Sequence, residues 1–160
     1  MTQTEAYTKA GFIGNYPVWQ LTLCFAIRYT RELVALLFAI PKVGYTGADV
    51  LAERKSDRVF WAKWEHSLAV TDHNRLVACL IAYEREAEPD TPYSRPSLYI
   101  SELAVDVHYR RQGIAKSLLQ LWLRQNTAFI HLQGNVRYAL QTNQAPWNAH
   151  VRELYRSQGF

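Results

Sequence analysis

The sequence contains few of the residues that mark disulfide-rich or metal-binding proteins. It has two cysteines, five histidines and one methionine in 160 residues. Cys24 and Cys79 both lie in apolar sequence, and neither belongs to a CxxC pair or a Cys/His spacing. We therefore expect two reduced, buried thiols and no metal site. This cysteine usage fits a reducing compartment, so a cytoplasmic protein is expected.

Long hydrophobic runs and long basic runs are also absent. The most apolar segment, residues 18–40, is interrupted by Arg28, Arg31 and Glu32, which argues against a membrane span. Residues 1–14 lack the pattern of a secretory signal. The net charge of +4 comes from scattered residues, whereas a nucleic-acid surface needs a basic stripe. We expect no membrane and no nucleic acid as partner, and the mild positive charge favours an anionic ligand.

Apolar and aromatic side chains are plentiful, at 49% and 13% of the chain. That is enough to build the core of one compact domain, and the length is too short for two, so a single domain over residues 1–160 is predicted. Residues 1–16 show no sustained periodicity and are treated as an extension of uncertain structure.

In the first half of the chain, the periodicity changes near residue 30. Apolar side chains recur at every second position over residues 18–29, which predicts a strand. A short helix is predicted from Arg31 to Ile40, ended by Pro41. A single helix over residues 18–40 is the competing interpretation. A second helix is predicted over residues 48–64.

The second half predicts three strands, a helix, a strand and a helix. Strands at Ser67–Thr71 and Leu76–Tyr83 flank the turn residues Asp72-His73-Asn74 and predict a hairpin. The remaining predictions are a loop over residues 85–96, a strand over Ser97–Val107, a helix over Ala115–Thr127, a strand over Arg137–Thr142 and a helix over Trp147–Ser157. This order predicts a mixed α/β (α+β) domain.

The junction between the third of these strands and the following helix has the chemistry of an anion site. It reads Leu103-Ala104-Val105-Asp106-Val107-His108-Tyr109-Arg110-Arg111-Gln112-Gly113-Ile114-Ala115-Lys116. The first turn of a helix has free N–H groups and a positive dipole end, so phosphate binds there. Gly113 lets the backbone approach a ligand, and Arg110, Arg111 and Lys116 add charge. From the residues alone, a solvated turn without a ligand remains an equal alternative.

Two motifs resemble the GNAT superfamily of acetyl-CoA-dependent N-acetyltransferases. Arg110-x-x-Gly113-x-Ala115 is similar to its Gln/Arg-x-x-Gly-x-Gly/Ala signature. The segment Asn148-x-x-Val151-x-x-Leu154-Tyr155-x-x-x-Gly159-Phe160 looks like its last conserved helix. Val107 and Val151 depart from the usual proline and alanine. The resemblance covers roughly residues 65–160.

The resemblance implies a mostly antiparallel central sheet flanked by helices. Relatives usually continue past the Gly-Phe pair with further strands, so the fold is expected to lack these C-terminal strands. A strand edge left uncovered is a pairing liability, so either a homodimer or an N-terminal extension that covers the edge is a further expectation.

The resemblance also assigns roles to individual residues. It implies that backbone groups along Leu103, Ala104 and Val105 hold the pantetheine arm and the acetyl carbonyl of acetyl-CoA. The side chain of Arg110 and the amides of Arg111, Gln112, Gly113, Ile114, Ala115 and Lys116 are expected at the pyrophosphate. Asn148 is expected near the cofactor arm, and Tyr155 is expected to point at the thioester sulfur.

For catalysis, Tyr155 is the expected general acid and Glu102 the expected general base. A tyrosine hydroxyl can protonate a departing thiolate, and a carboxylate acting through water can deprotonate an ammonium. Strand alternation leaves the facing of Glu102 open, because a bulge would change it. Glu84 is the second candidate base. His66 and His73 are interpreted as surface or turn residues.

These inferences favour an enzyme that moves the acetyl group of acetyl-CoA, by direct aminolysis of the thioester, to a primary amine of unknown identity. The amine is either a small molecule or a protein amino group. The alternative is a degenerate GNAT-like module that binds CoA or a protein partner without turnover. An acyl donor longer than acetyl is a third hypothesis.

Overall fold

The computed structural model describes residues 7–39, 66–90, 94–133, 137–140 and 149–160. These form one six-stranded sheet, in which neighbouring strands follow the chain order. The strands are β1 (Lys9–Ile13), β2 (Tyr16–Gln20), β3 (Leu68–Asp72), β4 (Arg75–Arg85), β5 (Ser97–Val105) and β6 (Arg137–Leu140). The α-helices are α1 (Leu23–Arg28), α2 (Thr30–Phe38), α3 (Ile114–Gln133) and α4 (Ala149–Ser157). All pairs are antiparallel except β5–β6, so the predicted mixed, mostly antiparallel fold is confirmed.

The N-terminal segment is more ordered than its sequence predicted. Residues 9–13 form an edge strand that pairs with β2 through a turn at Gly14, whose φ of +56° suits glycine. The interpretation of residues 1–16 as an extension was therefore wrong for β1. Its order comes from pairing with β2 and from packing against α3, neither of which leaves a periodic pattern in so short a segment.

The strand predicted over residues 18–29 is also corrected, because β2 ends at Gln20 and a helix follows. Thr22 caps α1, since its side-chain oxygen accepts a hydrogen bond from the Phe25 amide. Phe25 is buried, whereas Ile27 is 64% exposed. Cys24 is exposed as well, so the expectation of a buried thiol there was wrong.

The later elements agree with their predictions. The β3–β4 hairpin turns at His73 and Asn74, both with positive φ, as a two-residue turn of type I′ requires. The helix predicted over Ala115–Thr127 continues to Gln133, and β6 begins at the predicted Arg137. The helix predicted over residues 48–64 lies outside the described residues.

The sheet separates two apolar clusters, one on each face. One cluster packs α3 against the sheet around the fully buried Trp122, and we call this side the α3 face. The other cluster packs α1 and α2 against the opposite side, which we call the α1/α2 face, around Phe25 and Leu33. The candidate site lies where β5 passes between these two layers.

Candidate active site

Strand β5 contains a bulge at Ser101. Its pairing with β4 is regular from Ser97 to Ile100 and again from Glu102 to Val105, but Ile100 and Glu102 face consecutive residues of β4. Ser101 is therefore the extra residue, and its hydroxyl donates a hydrogen bond of 3.4 Å to the Ile81 carbonyl. A bulge of this kind bends the strand and changes which side chains share a face.

The bulge settles the facing of Glu102, which the sequence left open. Glu102 pairs with Ile81, whose side chain belongs to the cluster on the α1/α2 face. Tyr99 pairs with Tyr83, which lies two residues beyond Ile81 and therefore on the same face. Glu102 and Tyr99 thus share the α1/α2 face although three positions separate them. Leu103 and Val105, by contrast, pack into the cluster on the α3 face.

Beyond the bulge, β5 loses its second neighbour within the described residues. The parallel pairing with β6 runs from Ser97–Arg137 to Ile100–Leu140 and ends there. From Ser101 to Val105, no described strand lies on that side of β5. This stretch includes Leu103, Ala104 and Val105, whose backbone is expected from the sequence to hold the ligand arm.

The turn after β5 has the backbone geometry of an anion site. Arg111 and Gly113 have φ values of +66° and +78°. Positive φ is strained for arginine, and such strain occurs preferentially at functional sites. Turns with left-handed residues direct successive N–H groups into one concavity, which attracts anions. Nothing lies within 4 Å of the position that a Cβ on Gly113 would occupy.

Helix α3 starts directly behind this concavity. Its first intrahelical bond runs from the Ser117 amide to the Gly113 carbonyl, at 3.0 Å. The amides of Ile114, Ala115 and Lys116 precede that bond and have no intrahelical acceptor. Ile114 is buried in the core and anchors the helix start, whereas Lys116 is exposed beside the amides. The predicted anion site therefore has the required donors and charge.

Side chains from two hairpins hold the turn in place. The Tyr109 hydroxyl donates to Asp72 at the end of β3, at 2.8 Å, and this bond is the main reason why the pKa of Tyr109 is raised. The Tyr16 hydroxyl donates to Gln112 at 3.0 Å. Arg110 donates through Nε to the Val105 carbonyl at 3.1 Å. Tyr16 lies far away in sequence, and no local pattern indicated this contact.

Tyr155 lies on α4 and is buried. Burial is the largest of the influences that raise its pKa to about 12, and the charges of Glu102 and Tyr99 act in the same direction. Burial is also the main reason why the pKa of the Cys79 thiol is raised, and the Glu102 charge acts in the same direction. Tyr155 packs into the cluster on the α3 face, which also receives Leu103 and Val105, the residues that follow Glu102 on β5.

Glu84, the second candidate base, lies elsewhere. It pairs with Leu98 on the α3 face, opposite to Glu102, and its carboxylate lies 3.2 Å from Nε2 of His66. The other ring nitrogen of His66 lies 2.9 Å from the side-chain oxygen of Asn126. This arrangement separates Glu84 from the bulge. His66 lies in a turn, which is one of the two interpretations given for it, but its ring is largely buried and is held by hydrogen bonds.

Three further predictions concern Asn148, a metal ion and a membrane span. Asn148 lies outside the described residues. Within the described ranges, no group of three or more His, Cys, Asp or Glu side chains could hold a metal ion. The described helices also include none that is long and apolar enough to cross a membrane.

A family comparison agrees with this geometry. The model of the acetyltransferase (GNAT) family matches residues 23–160, which is most of the chain. This chain belongs to the GNAT acetyltransferase family. The match includes the turn at Gly113 and the helix that carries Tyr155. No curated protein sequence matches this GNAT chain significantly.

Solved structures with a similar fold include several acetyltransferases. An aminoglycoside acetyltransferase from an uncultured soil metagenomic sample is 19% identical, with a TM-score of 0.57 over 91% of this chain and 88% of its own. The aminoglycoside N-acetyltransferase AAC(6')-Iy, solved with CoA, is 19% identical, with a TM-score of 0.60 over 84% and 82%. The ribosomal-protein-alanine N-acetyltransferase of Brucella melitensis biovar Abortus 2308 is 23% identical, with a TM-score of 0.55 over 84% and 87%. At these identities the likeness shows the fold of this GNAT domain alone.

Proposed function

We propose that this protein is an N-acetyltransferase that moves the acetyl group of acetyl-CoA to a primary amine by direct aminolysis of the thioester. The observation that carries the proposal is the bulge at Ser101. Because of the bulge, Glu102 lies on the α1/α2 face of the stretch of β5 that has no second strand neighbour among the described residues, and this stretch leads into the turn at Gly113. In this proposal, a donor held at the turn and along β5 would have its thioester near both Glu102 and Tyr155.

Acetyl-CoA suits this region because it has an anionic pyrophosphate for the turn and an extended arm for the strand that leads to it. Its pyrophosphate would lie on the amides of Gln112 to Lys116, next to the exposed Arg111. Its arm would follow the backbone edge of Leu103 to Val105. The cofactor supplies an activated acetyl group, and a backbone N–H of this edge would stabilise the negative charge that develops on the carbonyl oxygen.

Glu102 and Tyr155 would move the protons. Glu102 accepts a proton from the ammonium, directly or through water, so that the amine can attack. Tyr155 remains protonated at neutral pH because its pKa is about 12. It would donate its proton to the departing sulfur and take up the second proton of the attacking nitrogen, which restores its hydroxyl, while Glu102 returns the first proton to water. Protonation of Glu102 removes a negative charge that raises the pKa of Tyr155. Uptake of the substrate proton therefore makes Tyr155 a stronger acid at the step where one is needed.

The first test is a calorimetric titration with acetyl-CoA of the wild type and of Gly113→Val. A β-branched side chain at a φ of +78° strains the turn and projects into the open space before the amides. We expect saturable binding by the wild type and a loss of at least about tenfold in the variant, that is, about 1.4 kcal/mol. Binding that the variant retains unchanged would contradict the proposed phosphate position.

Gly14→Val is the matched control for this test. Gly14 also has positive φ and open space around its missing Cβ, but it lies in the β1–β2 turn. The two variants should lose comparable stability, while only Gly113→Val loses the cofactor. If acetyl-CoA binds and no amine consumes it, the chain is a CoA-binding module without turnover.

A further inference from the structure

The strained residue of the turn after β5 lies between two anchored side chains. Arg111 has a φ of +66°, a backbone conformation that arginine keeps only where the surrounding structure enforces it. Tyr109 precedes it by two positions, and Gln112 follows it directly. The side chains of both neighbours are hydrogen-bonded to residues that lie far away in sequence. These two contacts connect the turn to the β1–β2 and β3–β4 hairpins.

The two contacts run in opposite directions. Tyr109 belongs to the turn and donates its hydroxyl to Asp72 at the end of β3, at 2.8 Å. Tyr16 belongs to β2 and donates its hydroxyl to Gln112 in the turn, at 3.0 Å. The two tyrosine rings meet edge to face, with 5.9 Å between their centroids. We call Tyr16, Asp72, Tyr109 and Gln112 the turn clamp.

The turn clamp is anchored in the sheet. Both tyrosine rings pack against the buried cluster around Trp122 on the α3 face. The Asp72 side chain is 24% exposed, and its backbone is held in register opposite Arg75 in the β3–β4 hairpin. Tyr16 pairs with Ile13 in the β1–β2 hairpin. Each hairpin therefore presents one polar side-chain group to the turn from a fixed backbone position.

We infer that Tyr16 and Asp72 are positioning residues that preform the diphosphate site. They act through Gln112 and Tyr109 and keep Arg111 in the left-handed conformation before the cofactor arrives. The amides that follow then point into the concavity without reorganisation, so less conformational entropy is lost on binding. The inference rests on the proposed function, because it concerns the site of the acetyl-CoA pyrophosphate. It makes the β1–β2 hairpin a determinant of cofactor affinity, although Tyr16 belongs to neither of the motifs that suggest a cofactor.

Calorimetric titration with CoA tests this role in variants that each lose one hydrogen bond. Tyr16→Phe and Tyr109→Phe keep the rings, and each should weaken CoA binding by about 2- to 10-fold, the range of one net hydrogen bond. Asp72→Ala should have a similar effect. Asp72→Asn keeps an acceptor oxygen and should restore most of the affinity. Wild-type affinity in Tyr16→Phe and Asp72→Ala would overturn the inference.

Tyr29→Phe is the matched control for these variants. The Tyr29 hydroxyl donates to Asn74 in the β3–β4 hairpin at 2.9 Å, so the substitution removes the same kind of bond outside the turn clamp. Urea unfolding should show comparable losses of stability in Tyr29→Phe and Tyr16→Phe, whereas only Tyr16→Phe loses affinity for CoA. An equal loss of affinity in Tyr29→Phe would reveal a general effect of stability and would reject the positioning role.

Backbone NMR relaxation of the free protein gives a readout that a general loss of stability does not move. The amides of Arg111, Gln112 and Gly113 should be rigid in the wild type, with order parameters near about 0.85. They should fall below about 0.6 in the double variant Tyr16→Phe/Asp72→Ala, while the amides in the middle of α3 stay rigid. Low order parameters in the free wild type, or unchanged ones in the double variant, would contradict preformation.

The two measurements distinguish the two levels of proposal. Failure of CoA to bind the wild type contradicts the proposed function. Binding of CoA with equal affinity in the wild type and in the clamp variants leaves that function intact and rejects only the positioning role.

Discussion

At the scale of single residues, Glu102 and Tyr155 are an electrostatically linked pair. They lie on β5 and α4, and the charge of one raises the pKa of the other. The position of Glu102 follows from the bulge in β5, and that of Tyr155 follows from the packing of α4 into the cluster on the α3 face. Two substitutions, one at each residue, test the proposed roles of base and acid.

Replacing Glu102 by glutamine removes the charge and keeps the shape. We expect kcat to fall by about 10²-fold, because a general base contributes at least that much. The affinity for acetyl-CoA should stay within about twofold of that of the wild type. The pKa of Tyr155 should fall as well, because the substitution removes one of the charges that raise it. Steady-state kinetics and NMR titration of labelled tyrosine measure the two effects. An unchanged kcat would exclude Glu102 as the base.

Replacing Tyr155 by phenylalanine tests the buried hydroxyl through stability as well as rate. The folded-state pKa of about 12 lies above the ordinary value of 10.0, so the fold favours the neutral form. The unfolded chain releases this proton first, and the wild type therefore loses stability as the pH rises from about 10 to 12, by up to about 3 kcal/mol. The variant should lack this pH-dependent loss of stability, because phenylalanine has no proton to release.

Urea unfolding at pH 8 and at about pH 11 gives the free energy of unfolding of both proteins. The loss between the two pH values should be larger for the wild type than for the variant. A parallel fall of wild type and variant would contradict the raised pKa. The rate readout is separate: kcat of the variant should fall by about 10²-fold at neutral pH if Tyr155 donates the proton.

At the scale of elements, the bulge in β5 is expected to matter for acetyl transfer and not for folding. Deleting Ser101 would allow Ile100 and Glu102 to pair with consecutive residues of β4 in a regular ladder. We expect the protein to fold with stability within about 1 kcal/mol of the wild type and to lose acetyl transfer, because the strand no longer bends. Denaturant unfolding and a CoA-release assay test this. Retained activity would show that the bulge is not required.

Local signals predicted the elements that local interactions determine. The turn residues Asp72-His73-Asn74 gave the β3–β4 hairpin, and the strand–glycine–helix junction gave the start of α3 near Gly113. Helix α1 was misread because, over six residues, apolar side chains at alternate positions fit a strand as well as a helix. The cap at Thr22 was the signal that distinguishes them.

Features that depend on pairing between distant segments could not be predicted. The bulge at Ser101 is defined by the pairing of β5 with β4. The sequence alone therefore could not show which face of the sheet carries Glu102, or that Tyr99 lies on the same face. The contact of Tyr16 with Gln112 and the order of β1 likewise require the folded sheet. The motif around Gly113 was recognisable because a phosphate site is built from consecutive residues.

At the scale of the whole molecule, ligand binding should stabilise the fold. The proposed donor contacts the turn, β5 and α3 together, and it has no corresponding site in the unfolded chain. At a concentration of 100 times Kd, acetyl-CoA should add about 2.7 kcal/mol, which raises the melting temperature by roughly 5–10 °C. Thermal unfolding with and without acetyl-CoA measures this, with Gly113→Val as the variant that should not respond. A similar shift in that variant would place the ligand elsewhere.

The central claim is that the turn at Gly113 and the bulge at Ser101 form one acetyl-transfer site. The most direct measurement is the amine-dependent release of CoA from acetyl-CoA, with a panel of primary amines that includes 2-phenylethylamine and a peptide with a free N-terminus. We predict release by the wild type with at least one amine, release reduced by about 10²-fold in Glu102→Gln, and none detectable in Gly113→Val at low acetyl-CoA. Equal release by Glu102→Gln, or no release by the wild type with any amine although acetyl-CoA binds, would contradict the account.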